Sequence, residues 1–204
     1  SPKSSNIKKT RDGMERRTIG IYGGSFNPIH NGHTELGTAL CQTGLVDELW
    51  FVVSPHNPHK QHADLLADEA RLALARLAVE ESACLRVSDV EFRLPRPSYM
   101  VNTLETLRAE HPDKEFILVM GADNWERFPL WHMHEEIMRH HRIIVYPRPG
   151  HPLQDTPPSV TVAQTPLIPI SSTPIRESIR RGTFQGEGLH PAVWKEINTK
   201  GYYR

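Results

Sequence analysis

The run Gly-Gly-Ser-Phe-Asn-Pro-Ile-His-Asn-Gly-His, residues 23–33, constrains this chain most. It follows a short β-rich stretch, Thr18 to Tyr22, and leads into a helical pattern. Glycines at a strand end let backbone N–H groups crowd around a phosphate, and the following helix offers its positive end. His30 and His33, three apart, fall on one face of that helix's first turn. Donors so placed can hold a polyphosphate and share the charge that builds as it is cleaved. The plainer alternative is a glycine-rich β-to-α turn carrying two surface histidines. The spacing matches neither the dinucleotide fingerprint G-x-G-x-x-G nor the P-loop.

Strand and helix patterns alternate from Thr18 onward, which predicts βαβ units around a parallel sheet. Strands are expected at Thr18–Tyr22, Glu48–Ser54, Leu85–Val90, Phe116–Gly121, Arg142–Tyr146 and Leu167–Ile170. The clearest helix covers Leu65–Glu81, with Leu66, Ala70, Ala73, Leu74, Leu77 and Ala78 on one apolar face. Others are expected from Ser98, as N-cap, to Pro112, and over Trp131–Arg139, Pro174–Arg181 and Pro191–Thr199. The proline-rich stretch Pro147–Gln164 lacks periodicity and reads as a long surface connection. In open parallel sheets ligands sit beyond the carboxyl ends of the strands, so motifs at 23–33, 55–60, 121–124 and 171–176 should share one rim.

The 204 residues suit one α/β domain, and an apolar content of 38% is enough for a core. Nothing resembles a membrane span of about 20 apolar residues. Lysine plus arginine number 24 against 24 acids, a balance that argues against a long nucleic-acid ligand. Cys41 and Cys84 lie in partly apolar patterns and read as buried thiols in a reducing cytoplasm, not as a disulfide. Residues 1–13 are polar and basic without an apolar core, so they are no secretory signal. They read as a disordered arm or an expression remnant, Met14 being a natural start.

The Gly-Gly-Ser-Phe-Asn-Pro run with its two histidines resembles the His-x-Gly-His signature of the nucleotidyltransferase superfamily, which includes the class I aminoacyl-tRNA synthetases. A second element, Ile170-Ser171-Ser172-Thr173-Pro174-Ile175-Arg176, suits a helix start with Thr173 as N-cap and Pro174 in the first helical position. It also resembles the I-S-S-T-x-I-R element of bacterial nicotinate mononucleotide adenylyltransferases. From Ile19 to Arg204 the order of shorter motifs agrees, including Pro58-His59-Lys60, Gly121-Ala122-Asp123 and Arg148-Pro149-Gly150. The resemblance implies a Rossmann-like parallel sheet flanked by helices with a small C-terminal helical portion, residues 14–204 forming a single nucleotidyltransferase domain. It also implies adenylyl transfer from ATP to nicotinate mononucleotide, with Mg²⁺ accompanying ATP and no protein metal ligand.

By the same resemblance His30, His33, Lys60 and Arg176 are catalytic. Gly23, Gly24, Ser25, Phe26, Gly121, Asp123, Arg148, Ser172 and Thr173 belong to the ATP side. Asn57, Ser98, Tyr99, Met100, Trp131 and His132 belong to the acceptor, Trp131 stacking on the nicotinate ring. The sequence departs from the commoner pattern at Met100 (Thr in many relatives), His132 (Tyr) and Asn27 (Asp). Nicotinamide mononucleotide therefore stays open as acceptor, as does a non-catalytic nucleotide sensor on the same fold. A phosphopantetheine adenylyltransferase or a cytidylyltransferase fits less well. Two small-molecule substrates are expected, with no membrane and no nucleic-acid partner; homo-oligomerisation stays open. His132 and His134, two apart, would diverge around a helix and make a poor zinc site.

Overall fold

The computed structural model describes Lys8, Lys9 and residues 15–204. Its sheet runs through β1 (Lys8–Lys9), β2 (Glu15–Gly24), β3 (Glu48–Val53), β4 (Leu85–Ser88), β5 (Lys114–Gly121), β6 (Ile143–Tyr146) and β7 (Val160–Val162). The spatial order is β4-β3-β2-β5-β6-β7, all parallel, while β1 pairs antiparallel with β2. Helices α1 (Asn31–Gln42), α2 (Asp68–Val79), α3 (Met100–Glu110), α4 (Ala122–Arg127), α5 (His134–His140), α6 (Ser172–Arg181) and α7 (Pro191–Lys200) flank it. This is the Rossmann-like α/β arrangement the alternating pattern predicts, with α6 and α7 as the C-terminal helical portion. The assignment of residues 1–13 to an arm falls, apart from Lys8 and Lys9, outside the described residues.

Helices on both faces bury the sheet from both sides, so its central strands are apolar throughout. In β5 every residue from Phe116 to Gly121 is buried. Alternation assigns β2 to both layers. Ile19 and Ile21 join Leu104, Leu107, Phe128 and Ile137 on one side. On the other, Leu40, Leu74, Ile175 and Val193 pack over Leu49 and Phe51 of β3. Helix α1 can lie close to that face because a Cβ on Gly37 would meet the Leu49 and Leu85 side chains at 2.7 and 2.8 Å.

Several boundaries differ from the sequence expectations. The sixth strand of the parallel sheet is Val160–Val162, within the stretch read as a connection, and Leu167–Ile170 is not a strand. Val160 and Val162 pair with Ile143 and Val145, whereas Pro166 and Pro169 deprive the later stretch of ladder donors. The fifth helix begins at His134 rather than Trp131, because Met133 takes a left-handed conformation at φ 52°. Tyr99, not Ser98, is the N-cap of α3. In α2 the buried face runs through Arg71, Leu74, Ala75 and Val79, and Ala73 is exposed. Cys41 and Cys84 are free and half-buried rather than fully buried. Burial pushes the Cys41 thiol up.

Candidate active site

Strand β2 is the topological switch point, with β3 on one side and β5 on the other. The crevice beyond its carboxyl end is where such sheets take ligands. A cavity of about 910 Å³ opens there, reached by Gly23 and Gly24 at the end of β2 and by Tyr146 at the end of β6.

His30 and His33 line this cavity from the start of α1. His30 is the N-cap, and its Nδ1 accepts the Gly32 N–H at 3.0 Å. His33 reaches back, its Nδ1 accepting the His30 N–H at 3.1 Å. This is a capping box built from two imidazoles. Each Nδ1 is thereby occupied as an acceptor, so the neutral ring carries its proton on Nε2 and keeps one free donor. The rings stack with centroids 3.7 Å apart. Gly32 is required between them, since a Cβ there would stand 2.8 Å from His30 Cε1. Beneath them the buried Phe26, itself left-handed at φ 48°, meets the His33 ring edge-on at 5.0 Å.

Burial, then the Arg148 guanidinium, lowers the His30 pKa from 6.5 to about 4; burial and the neighbouring His30 and Arg148 push His33 down as well. Both imidazoles are therefore neutral at neutral pH. Below pH 6.5 the unfolded chain takes up a proton that folded His30 refuses until about pH 4, so acid removes stability across that window. The expected loss attributable to His30 is about 3 kcal/mol. Urea unfolding of the protein and of His30→Asn at pH 7 and pH 4 measures it; the variant should lose that much less, and parallel losses would refute the assignment.

Arg176 and Ser172, more than a hundred residues away in sequence, line the same cavity from α6. Ser172 Oγ donates to the Pro28 carbonyl at 3.0 Å, and Arg176 Nη1 donates to the Asn27 carbonyl at 2.8 Å. The helix begins two residues earlier than expected: Ser171 is its N-cap, and Thr173 instead accepts a 3.3 Å bond from Arg176 Nη2. Lys60 and Asn57 lie on the exposed loop after β3 at the cavity wall, Asn57 Oδ1 accepting the His59 N–H at 2.9 Å. Across the cavity, Arg148 Nε stands 3.8 Å from Asp123 Oδ1. Gly121 lies below them, where a Cβ would meet Asp123 Oδ1 at 2.6 Å.

Of the residues that the resemblance assigns to the acceptor, Asn57 lines this cavity, and Ser98, Tyr99, Met100, Trp131 and His132 are not among its lining residues. Tyr99 and His132 face each other with centroids 4.5 Å apart, and Trp131 packs on Phe128 at 5.4 Å. The link between the two regions is Met100, whose terminal methyl would stand 2.8 Å from a Cβ on Gly23. Behind Ser98 and Tyr99 the buried Glu91 accepts from Thr103 Oγ1 at 2.9 Å, burial raising its carboxyl and the hydroxyls of Thr103, Ser54 and Ser98 opposing that shift.

Two buried residues, Arg71 and Asn27, support the site in ways the sequence alone does not show. Arg71, fully buried on α2, donates to the carbonyls of Ser25, Ser54 and Leu66, each at 2.8 Å, and pairs with Asp68. It fastens the glycine loop after β2 to the end of β3. Its only signal in the sequence is an arginine set into an apolar helix face. Asn27 is buried with both ends of its amide engaged: Nδ2 donates to the Asp64 carbonyl at 2.9 Å, and Oδ1 accepts from the Leu66 N–H and the Tyr203 hydroxyl. A carboxylate at 27 could not donate to Asp64, which explains why an amide serves here. Tyr22 and Tyr146 share a hydroxyl contact of 2.9 Å on the cavity wall, and burial keeps both phenols protonated.

Residues 21–178 match the cytidylyltransferase-like family. The chain belongs to that family. Within it, the chain is 50% identical over 186 residues to a probable nicotinate-nucleotide adenylyltransferase of Bacteroides fragilis, covering 90% of this chain and 92% of the relative. A protein of the same description from Bacteroides thetaiotaomicron is 46% identical over 180 residues, covering 87% and 89%. Among solved structures, the Plasmodium falciparum nicotinic acid mononucleotide adenylyltransferase complexed with NaAD superposes with a TM-score of 0.77 at 20% identity, covering 92% of this chain and 98% of that one. That agreement concerns the cytidylyltransferase-like fold.

Proposed function

We propose that this chain transfers the adenylyl group of ATP to nicotinate mononucleotide, giving nicotinate adenine dinucleotide and pyrophosphate. The observation that carries the reading is the convergence of His30 and His33 from α1 with Arg176 from α6 on one cavity. Relatives at 46 and 50% identity bearing the nicotinate-nucleotide adenylyltransferase description support it.

The acceptor's 5′-phosphate oxygen attacks the α-phosphorus of ATP in line, and the bond to the bridging oxygen of pyrophosphate breaks. A phosphate is already a competent nucleophile, so positioning and charge stabilisation do the catalytic work. The Nε2–H donors of His30 and His33 face the α-phosphate. Arg176, Ser172, Thr173 and the start of α6 take the β- and γ-phosphates, and Lys60 adds positive charge from its loop. Gly23, Gly24, Ser25 and Phe26 form the floor, while Gly121, Asp123 and Arg148 receive the adenosine end. Trp131, His132, Ser98, Tyr99, Met100 and Asn57 serve the acceptor. Mg²⁺ enters as part of the ATP substrate, held mainly by phosphate oxygens and water. The cationic lining, with Asp64 and Asp123 as its acids, fits an ion carried that way.

We take residues 14–204 as one domain working on small molecules, without a nucleic-acid partner. A cytoplasmic setting agrees with free Cys41 and Cys84, and no described helix is long and apolar enough to cross a membrane. The alternative acceptor, nicotinamide mononucleotide, draws on Met100 and His132. Pyrophosphate release from ATP, measured with nicotinate mononucleotide, nicotinamide mononucleotide and phosphopantetheine in turn, tests the assignment. Nicotinate mononucleotide is expected to give the highest kcat/KM. ATP binding without turnover on any acceptor would indicate a sensor instead.

A further inference from the structure

The end of the chain reaches the phosphate loop. Helix α7 closes at Gly201, φ 68°, where the Tyr202 N–H bonds back to the Ile197 carbonyl at 3.0 Å. Tyr203 then turns left-handed at φ 65°, a conformation that a bulky side chain keeps only when its surroundings hold it there. What holds it is Asn27: the Tyr203 hydroxyl donates to Asn27 Oδ1 at 2.6 Å. The same oxygen accepts the Leu66 N–H at 3.1 Å, and the amide nitrogen donates to the Asp64 carbonyl. The main-chain carbonyl of Asn27 carries Arg176.

One asparagine thus ties together three segments that are distant in sequence. Its side chain holds the end of the loop that bears Lys60, and its backbone holds the guanidinium on α6. Arg180 Nη2 also meets Asp64 Oδ1 at 2.6 Å, so the loop and α6 are joined a second time. We propose that Tyr203 is a positioning residue of the triphosphate site: by fixing Asn27 it sets where Arg176 and the Lys60 loop meet the anion. Burial holds the phenol in its protonated, donating form. The inference rests on reading this cavity as a triphosphate site.

The test is calorimetric titration of a non-hydrolysable ATP analogue, α,β-methylene ATP, into the full chain and its variants. Tyr203→Phe should raise Kd about threefold to tenfold, the effect of one hydrogen bond. Tyr202→Phe, one residue earlier and packed on the core, should leave Kd unchanged. In an Arg176→Gln background Tyr203→Phe should raise Kd by clearly less than it does alone, because one of the two groups it positions is gone and only the Lys60 loop remains. In turnover the KM for ATP should rise with kcat within about twofold. A lower Tm with unaltered Kd, or full additivity with Arg176→Gln, would overturn the proposal; so would a parent chain that binds no analogue. Since the titration contains no acceptor, absence of turnover on every mononucleotide would count against adenylyl transfer while leaving this comparison decisive.

Discussion

Replacing His33 by alanine is expected to lower kcat by about 10²–10³-fold while the affinity for an ATP analogue changes by less than about tenfold. The asymmetry follows from what the imidazole does. Its Nδ1 is committed to the His30 N–H at 3.1 Å, so the ring has one orientation and one remaining donor. That donor costs no reorganisation when charge builds on the phosphoryl oxygens, and a contact that strengthens in the transition state appears in kcat. Phe26 and the stacked His30 ring keep the imidazole in place before substrate arrives. Single-turnover kinetics beside analogue titration separates the two quantities. Equal losses in both would mean that His33 binds ground state and transition state alike. A secondary drop in stability is expected, because the variant also strips the His30 N–H of its partner.

Arg71→Met should cost about 3–5 kcal/mol, a large fraction of what a domain of this size possesses. Methionine fills much of the volume but leaves the carbonyls of Ser25, Ser54 and Leu66 without their donor and Asp68 without its buried partner. Arg96 and the His56 N–H still reach Asp68, so the carboxylate is the lesser loss and the stranded carbonyls the greater. Urea unfolding reads the stability. A loss below about 1 kcal/mol would show that water or a rearranged backbone satisfies those groups at little cost. Nucleotide affinity should fall too, since Ser25 belongs to the loop that Arg71 anchors.

Local chemistry is what the sequence conveys well. The glycines and histidines of residues 23–33 act within a single turn, so their type and spacing already contain the capping geometry that the structure displays. Gly32 is the sharpest case: its missing Cβ is the space into which the His30 ring folds. Central strands were legible because burial on both faces forces an unbroken apolar run, as in β5. The edge strand β7 was not, although β4 at the other edge was. Three residues, Val160–Val162, gain strand character only from pairing with β6, and no local pattern announces a partner that far back.

Asn27 and Arg71 show the same division at the site. An asparagine after a glycine loop and an arginine in an amphipathic helix carry no local mark of their roles. Asn27 finds its partners at Asp64, Leu66 and Tyr203, and Arg71 finds two of its three carbonyls at Ser25 and Ser54. The residues that the resemblance assigns to the acceptor illustrate the converse: Trp131, His132 and Tyr99 are recognisable as a set, yet they lie outside the main cavity, joined to it through Met100 against Gly23.

By itself the sequence determined the fold class, the parallel sheet and the two motifs that line the cavity, because hydrophobic period, capping and glycine sterics act over a few residues. That α1 and α6 share one rim was expected and is found; only the tertiary structure decided that Asn27 and Tyr203 brace the cavity and that a buried guanidinium locks the loop beside it. Those contacts join residues up to 176 positions apart. Such pairings depend on how layers pack around the sheet, and chain order does not encode that packing locally.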